Sequence, residues 1–329
     1  MLRMQPFDVE HPHTVEEATA LLEKHGDSAQ ICAGGTDVVP NMKHGLHEPQ
    51  VLVHLSRVSD LNSIIDAGAE ITIGAMTPLH KIASSSLIQN FVPGLAKAAK
   101  AVAGPQLRRM GTIGGNLCLD TRCLYYNQTY FWREALGFCL KKDGSKCHVV
   151  ESGRKCVAAA SNDTATMLLC LDSRVDLQNH AGTRSLPLDA FYVADGVKNT
   201  VRQPSEILTR IHIPKGSQQR LEGFAKLRYR QSIDYPMLSV AVRFDLLNEE
   251  IQKAQVVVSA LAARPKSVKT DFCIGQKLDP QTIAALAEQG RKQCRPLTNI
   301  CDDPLWRRDM VATYIRKACE SALDQPIAT

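Results

Sequence analysis

Cys123, Cys139, Cys147 and Cys156 fall within one 34-residue stretch, separated by 15, 7 and 8 residues. Thiolates are soft ligands, and four of them can hold a tetrahedral zinc ion or an iron–sulfur cluster. The spacing lacks the close cysteine pair of most zinc sites and matches neither common ferredoxin pattern, so it leaves zinc and cluster evenly balanced. The remaining cysteines carry weaker signals. Cys170 lies in an apolar helical run, Cys32 in a strand-like run, and Cys118 at the end of a strand expected to leave a glycine turn. Each reads as a packed thiol, since free cysteine behaves as a small buried hydrophobe. Cys273, Cys294, Cys301 and Cys319 have no ligand-like spacing. His148, beside Cys147, reads as an exposed residue rather than a supporting donor.

Two glycine-rich segments are the second source of chemistry. They are Gly34-Gly35-Thr36-Asp37 and Gly111-Thr112-Ile113-Gly114-Gly115-Asn116, each expected to follow a strand. Glycine lets a backbone close on an anion, and successive N–H groups form an anion-binding nest. Thr36, Thr112 and Asn116 can add side-chain hydrogen bonds. Neither segment is the G-x-G-x-x-G of a dinucleotide fold or a P-loop, and a diglycine alone is more often a plain turn. Lys226 and Arg228 alternate with apolar residues as the polar face of a strand would. No Ser/His/Asp or Cys/His set argues for hydrolysis, and the scattered carboxylates suggest no glycosidase pair.

These residues need elements to position them. A chain of 329 residues, 44% hydrophobic, can bury a core and build two or three domains. A capping box at Thr14-Val15-Glu16-Glu17 opens a helix that Gly26 closes. Short strands are expected at 29–33, 51–55 and 71–73, and a helix opened by Thr77-Pro78 follows them. Residues 92–103 read as an alanine-rich helix. The cysteine stretch has no regular periodicity; Tyr125, Tyr126, Tyr130, Phe131, Trp132 and Phe138 are mixed there with turn formers. A loop of that length needs something to organise it. Its aromatic and apolar residues, Leu124, Tyr125, Phe131, Trp132, Phe138 and Leu140, are expected to shield the site from solvent. After it come a buried helix at 162–171, strands near 174–177 and 207–213, and strands at 224–229, 238–246 and 255–261. Helices at 280–292 and 304–322 complete the pattern, with a domain boundary near residue 217.

The net charge of +5 is spread without a basic block, so nucleic-acid binding is not indicated. No apolar run approaches the roughly 18 residues a spanning helix needs. The start of the chain reaches Asp8 and Glu10 too soon for a signal peptide. Eleven cysteines without an export signal are expected to be reduced thiols or ligands, which places the chain in the cytoplasm.

Ala33-Gly34-Gly35-Thr36-Asp37 and Thr112-Ile113-Gly114-Gly115-Asn116-Leu117, with Lys226-Leu227-Arg228-Tyr229-Arg230 further on, resemble the FAD-binding medium subunit of the xanthine dehydrogenase and molybdenum hydroxylase family. The resemblance runs the length of the chain. It implies an α+β fold: a two-lobed FAD-binding domain of the PCMH type at 1–217, and a C-terminal α+β domain of the CO dehydrogenase flavoprotein type at 218–329. The pieces Thr121-Arg122-Cys123, Tyr126-Asn127-Gln128 and Lys146-Cys147-His148-Val149 resemble a reductive branch of this family, in which an insertion, here about 119–158, carries an extra [4Fe–4S] cluster. The implied ligands are Cys123, Cys139, Cys147 and Cys156.

For FAD, the resemblance implies a first diphosphate loop of Cys32, Ala33, Gly34, Gly35, Thr36, Asp37, Val38 and Val39. Thr112, Gly115, Asn116 and Asp120 would serve the second. Asp163 would lie near the sugar-phosphate part and Lys226 near the isoalloxazine. Leu119 departs from the family pattern, which tends to a polar residue there. The implied partners are a large molybdenum-cofactor subunit and a small [2Fe–2S] subunit, in a dimer of heterotrimers, with a ferredoxin-like electron donor and neither nucleic acid nor membrane.

Overall fold

The computed structural model describes residues 2–216, 219–301 and 303–324. Its first unit is a parallel three-stranded sheet of β1 (Asp8–Glu10), β2 (Ala29–Cys32) and β3 (Val51–His54), in the order β1-β3-β2. Helix α1 (Val15–His25) is set by its caps. The Thr14 hydroxyl accepts from the Glu17 N–H at 3.1 Å, and the Glu17 carboxylate accepts from the His13 N–H at 2.7 Å. Gly26, at a φ of +53°, ends the helix, which packs Val15, Ala18 and Leu22 against β3. Helix α2 (Val38–Lys43) follows β2 directly.

The second unit is an antiparallel sheet of β4 (Ile64–Asp66), β5 (Glu70–Gly74), β6 (Arg174–Asn179), β7 (Gly182–Pro187) and β8 (Ile207–Pro214), in the order β4-β5-β8-β6-β7. Its helices are α3 (Leu79–Ser84), α4 (Ser86–Phe91), α5 (Pro93–Ala101), α6 (Pro105–Met110), α7 (Ile113–Leu117), α8 (Tyr130–Ala135), α9 (Asp163–Cys170) and α10 (Leu188–Phe191). Small Ala96, Ala98 and Ala99 on α5 let it lie close to α9.

The third unit is an antiparallel sheet of β9 (Arg220–Leu227), β10 (Leu238–Leu247), β11 (Glu250–Ser259) and β12 (Lys266–Val268), in the order β12-β11-β10-β9. Asp279 and Asp303 cap α11 (Pro280–Gln293) and α12 (Pro304–Leu323), accepting from Thr282 N–H at 2.8 Å and Leu305 N–H at 2.6 Å. The period of two along β10 serves two cores. Ala241 packs with α5 and α9, whereas Val240, Val242 and Phe244 pack with α11 and α12. At the seam, Glu222 accepts from the Gly94 N–H at 2.9 Å and pairs with Arg220 at 2.8 Å, and burial pushes its carboxyl up to about 7.

The α+β class is as expected. Four local expectations are corrected. The second glycine segment follows helix α6, not a strand, and itself opens α7. Cys118 accordingly caps the end of a helix. Thr77 does not cap α3: its hydroxyl donates to the Ser63 carbonyl, and Pro78 takes the cap position. The cysteine stretch does contain a helix, α8, because buried Arg133 pins it to Asp143 at 3.1 Å and the Gly45 carbonyl at 3.0 Å. The boundary at 217 and 218 lies outside the described residues. Among the described residues no helix is long and apolar enough to cross a membrane.

A β-carbon on Gly223 would lie 1.8 Å from the Ala318 carbonyl oxygen, so α12 rests directly on the β9 backbone. Gly223→Ala should therefore destabilise the third unit by about 2–3 kcal/mol through overpacking. A thermal melt of the variant should show a transition several degrees lower, and an unchanged melt would contradict this seating of α12.

Candidate functional site

A cavity of about 560 Å³ opens where the three units meet, within the range of small-molecule sites. One wall is the loop from β2 to α2, where the two glycines are needed for different reasons. Gly35 adopts a φ of +71°, open to glycine without strain. Gly34 is not in the left-handed region, but a β-carbon there would sit 1.9 Å from the Met110 carbonyl oxygen. Among the described residues no acceptor takes the N–H of Gly34 or Thr36, while the Gly35 N–H is directed at the Cys32 sulfur. This loop can present donors to an anion.

The opposite wall is built differently. At the start of α7 the N–H groups of Ile113, Gly114, Gly115 and Asn116 are already taken by the Thr77 carbonyl, the Ala75 carbonyl, the Thr112 hydroxyl and the Thr112 carbonyl. The second glycine segment is thus no backbone nest. Its glycines serve close packing, since a β-carbon on Gly114 would meet Ala75 at 2.6 Å. What it offers the cavity is side chains. Asn116 accepts through Oδ1 from the Thr164 N–H at 3.1 Å and hydroxyl at 2.5 Å, which leaves its amide donors for the cavity.

Asp163, the first residue of α9, lies beneath this wall. Its Oδ2 accepts from Lys226 at 2.5 Å, with both side chains buried, while its Oδ1 is buried without a partner. Burial pushes the Asp163 carboxyl up, against the pull of Lys226. Ser161 Oγ is likewise buried and unpartnered on the cavity wall. Orphaned polar atoms lining a cavity mark places where a ligand can pay their desolvation. Across the mouth, Arg122 pairs with Asp37 and lies over the Tyr235 ring, 4.1 Å from its centroid, and Tyr235 donates to Asp37 at 3.1 Å.

A second, much smaller void is lined by Cys123, Cys139, Cys147 and Cys156, together with Tyr125, Tyr126, Leu140, Lys141 and His148. Its volume is about 10 Å³, room for about one water. None of the four is in a disulfide. Burial pushes the Cys123 thiol up to about 12 and the Cys156 thiol upward, and neighbouring thiols add to both. Such a group gives up its protons readily only to a cationic centre. Backbone N–H groups already point at sulfur: Val150 to Cys147 and Ala158 to Cys156, each at 3.4 Å. Among the described residues, no three His, Cys, Asp or Glu side chains are placed to ligate one metal ion. Asn299, from the third unit, holds this segment by donating to the Val157 carbonyl at 2.6 Å.

The structure thus gathers most of the residues singled out in the sequence. Ala33, Gly34, Gly35, Thr36, Asp37, Val38, Thr112, Gly115, Asn116, Asp120 and Asp163 line the large cavity, as does Leu119. Three do not. Cys32 packs under the loop with Met42 and Leu52, Val39 points away behind Gly35, and Lys226 reaches only Asp163 and the Ala101 carbonyl. Lys226 and Arg228 do not form a solvated strand face; both donate to the Ala101 carbonyl at the end of α5. Cys118 lines the large cavity, not the thiol void. His148 is half-buried beside the thiol void, where its Nε2 donates to the Phe138 carbonyl at 2.6 Å and its ring lies tilted against Tyr125. The expected shield is only partial, because Phe131 is 80% exposed and Leu124 and Trp132 also face outward. Arg122 entered only as part of the Thr121-Arg122-Cys123 resemblance, and Ser161 and Tyr235 were not singled out; a serine before a helix and a tyrosine in a distant loop carry no local signature.

Residues 5–216 match the family described as the FAD binding domain in molybdopterin dehydrogenase, and residues 223–322 match the CO dehydrogenase flavoprotein C-terminal domain. The chain is 24% identical over 320 residues to the carbon monoxide dehydrogenase medium chain of Hydrogenophaga pseudoflava, covering 96% of each. It is 26% identical to the 6-hydroxypseudooxynicotine dehydrogenase complex subunit alpha of Paenarthrobacter nicotinovorans, over 96% of this chain and 94% of that one. The fold superimposes on reconstituted CO dehydrogenase from Oligotropha carboxidovorans with a TM-score of 0.79 at 25% identity, covering 97% and 98% of the two chains. With residues 5–216 and 223–322 matching its two domains in order, the chain belongs to the FAD-binding medium subunits of the molybdenum hydroxylase family.

Proposed function

We propose that this chain is the electron-transfer subunit of a reductase of the 4-hydroxybenzoyl-CoA reductase type, with FAD in the large cavity and a [4Fe–4S] cluster held by Cys123, Cys139, Cys147 and Cys156. The observation that carries the cluster is the gathering of four cysteines, spread over 34 residues, around one void. A single zinc draws four sulfurs to about 2.3 Å from one point; among the described residues no such group is already placed to hold a metal ion, so the sulfurs must shift for either centre. A cluster bonds each cysteine to its own iron and keeps the sulfurs further apart. The donor chemistry fits; the void must widen to admit it.

FAD fits the large cavity on separate grounds. The N–H groups of Gly34 and Thr36 would meet the diphosphate, with Thr112 and Asn116 facing it from α7. The unpartnered atoms of Asp163 and Ser161 would take hydroxyl donors of the sugar part. Lys226 would act through Asp163, by holding it in place, rather than at the isoalloxazine. When bound, the two groups supply single-electron transfer between an external donor and the centres of partner subunits. The chain itself binds and orients them and limits water at the thiols with Tyr125, Tyr126 and Leu140.

The relatives are a medium chain and a subunit of dehydrogenase complexes, which supports partner subunits; the proposed ones are a large molybdenum subunit and a small [2Fe–2S] subunit, in a dimer of heterotrimers. A ferredoxin-like protein would donate electrons, and the free thiols suit a cytoplasmic setting. A second reading, favoured by those same relatives, is a subunit of an oxidising aldehyde- or xanthine-type complex. A zinc-braced scaffold without redox activity is the third.

Metal, flavin and substrate assays of the intact complex separate these. The proposal expects about four irons beyond those of the [2Fe–2S] subunit, one FAD, and reduction of 4-hydroxybenzoyl-CoA by a strong one-electron donor. Zinc without extra iron would favour the scaffold, and failure to reduce the thioester would favour the oxidising reading. Cys139→Ser should lose the cluster iron while FAD stays bound. Gly34→Ala, forced against Met110, should weaken FAD binding at least tenfold in a flavin titration and leave the iron in place.

A further inference from the structure

The wall between the two cavities holds one buried cation. Lys141 is 4% exposed, and its three ammonium hydrogens are committed to Asp120 Oδ1 at 2.7 Å, Thr121 Oγ1 at 2.9 Å and the Gly196 carbonyl. Its nitrogen also lies 4.6 Å from the centroid of the Tyr126 ring, and Tyr126 donates to Asp120 Oδ2 at 3.0 Å. Asp120 faces the large cavity, whereas Lys141 and Tyr126 line the thiol void. With all three donors fixed, the ammonium cannot swing toward one side to serve it alone. Its field acts on both: it lines the void beside the four sulfurs, and it neutralises a carboxylate that would otherwise face the phosphates of a bound dinucleotide.

We propose that Lys141 is a positioning residue that serves both sites at once, masking Asp120 on the flavin side and stabilising electron-rich sulfur on the other. This rests on the proposed FAD and cluster sites, and the two sides give independent readouts. Removing a cation beside a cluster disfavours its reduced form, so the potential falls. Removing it beside Asp120 takes away the carboxylate's lysine partner at the cavity wall and leaves it the Tyr126 hydroxyl, the Thr121 N–H and His47 at 3.8 Å.

The test compares wild-type, Lys141→Met and Lys141→Met/Asp120→Asn in the purified complex, by FAD titration and by redox titration of the subunit's cluster. Lys141→Met should weaken FAD binding about tenfold and shift the cluster potential to more negative values. The double variant, which has no carboxylate there, should regain FAD affinity but keep the lowered potential. This split is beyond a merely structural lysine, whose loss would move both readouts together and leave both unrescued. If Lys141→Met changes neither quantity, or the double variant fails to regain FAD, the assignment is overturned. If Lys141→Met does not fold, FAD affinity below wild type in the double variant overturns it as well. Absence of iron from the wild-type subunit would instead sink the cluster reading, and the FAD comparison would still decide the role of Lys141 toward Asp120.

Discussion

The large cavity depends on one backbone contact, the Gly34 chain lying against the Met110 carbonyl with no side chain between them. The contact sets the spacing of two loops that come from different units. Met110 leads through Gly111 into Thr112, which caps α7. Asn116 at the far end of α7 accepts from Thr164, fixing the start of α9 and with it Asp163. A methyl group at Gly34 would push on the first member of this series and displace the others. Packed backbone and short helices transmit such shifts because interiors have little free volume to absorb them.

The cysteine segment depends on a different kind of constraint. It has little regular structure of its own, and buried polar groups hold it. Arg133 ties α8 to Gly45, Thr121 donates to the Gly196 carbonyl, and Asn299 reaches in from the third unit. A buried charge left without partners would be costly, so each of these contacts also selects one arrangement of the loop. Lys141 belongs to the same set. Because it is shared with Asp120, the two cavities have one electrostatic wall between them.

Much of the fold was legible where a local rule decides the outcome. Thr14 and Asp303 stand where helix caps belong, and β10 alternates as a strand between two cores should. Other elements were not legible. Residues 112–116 look like a glycine turn, and they become a helix because Thr77 and Ala75 supply the acceptors for its first N–H groups. Helix α8 exists through Arg133, one of whose partners, the Gly45 carbonyl, is distant in the chain. Phe131 and Trp132 resemble a shield by composition, but the helix they ride on turns them outward.

The residue types alone determined which chemistry is available: four soft thiolate donors and a glycine loop able to face an anion. They follow from what each side chain is, whatever surrounds it. Tertiary structure decided which of them meet. It brought four widely spaced cysteines to one void, withdrew the second segment's N–H groups by bonding them elsewhere, and joined Lys226 to Asp163 beneath the cavity. It also set Ser161 and Tyr235 on the cavity wall. The physical reason is that these contacts join positions tens to hundreds of residues apart, and their closeness is fixed by packing, which no local pattern encodes.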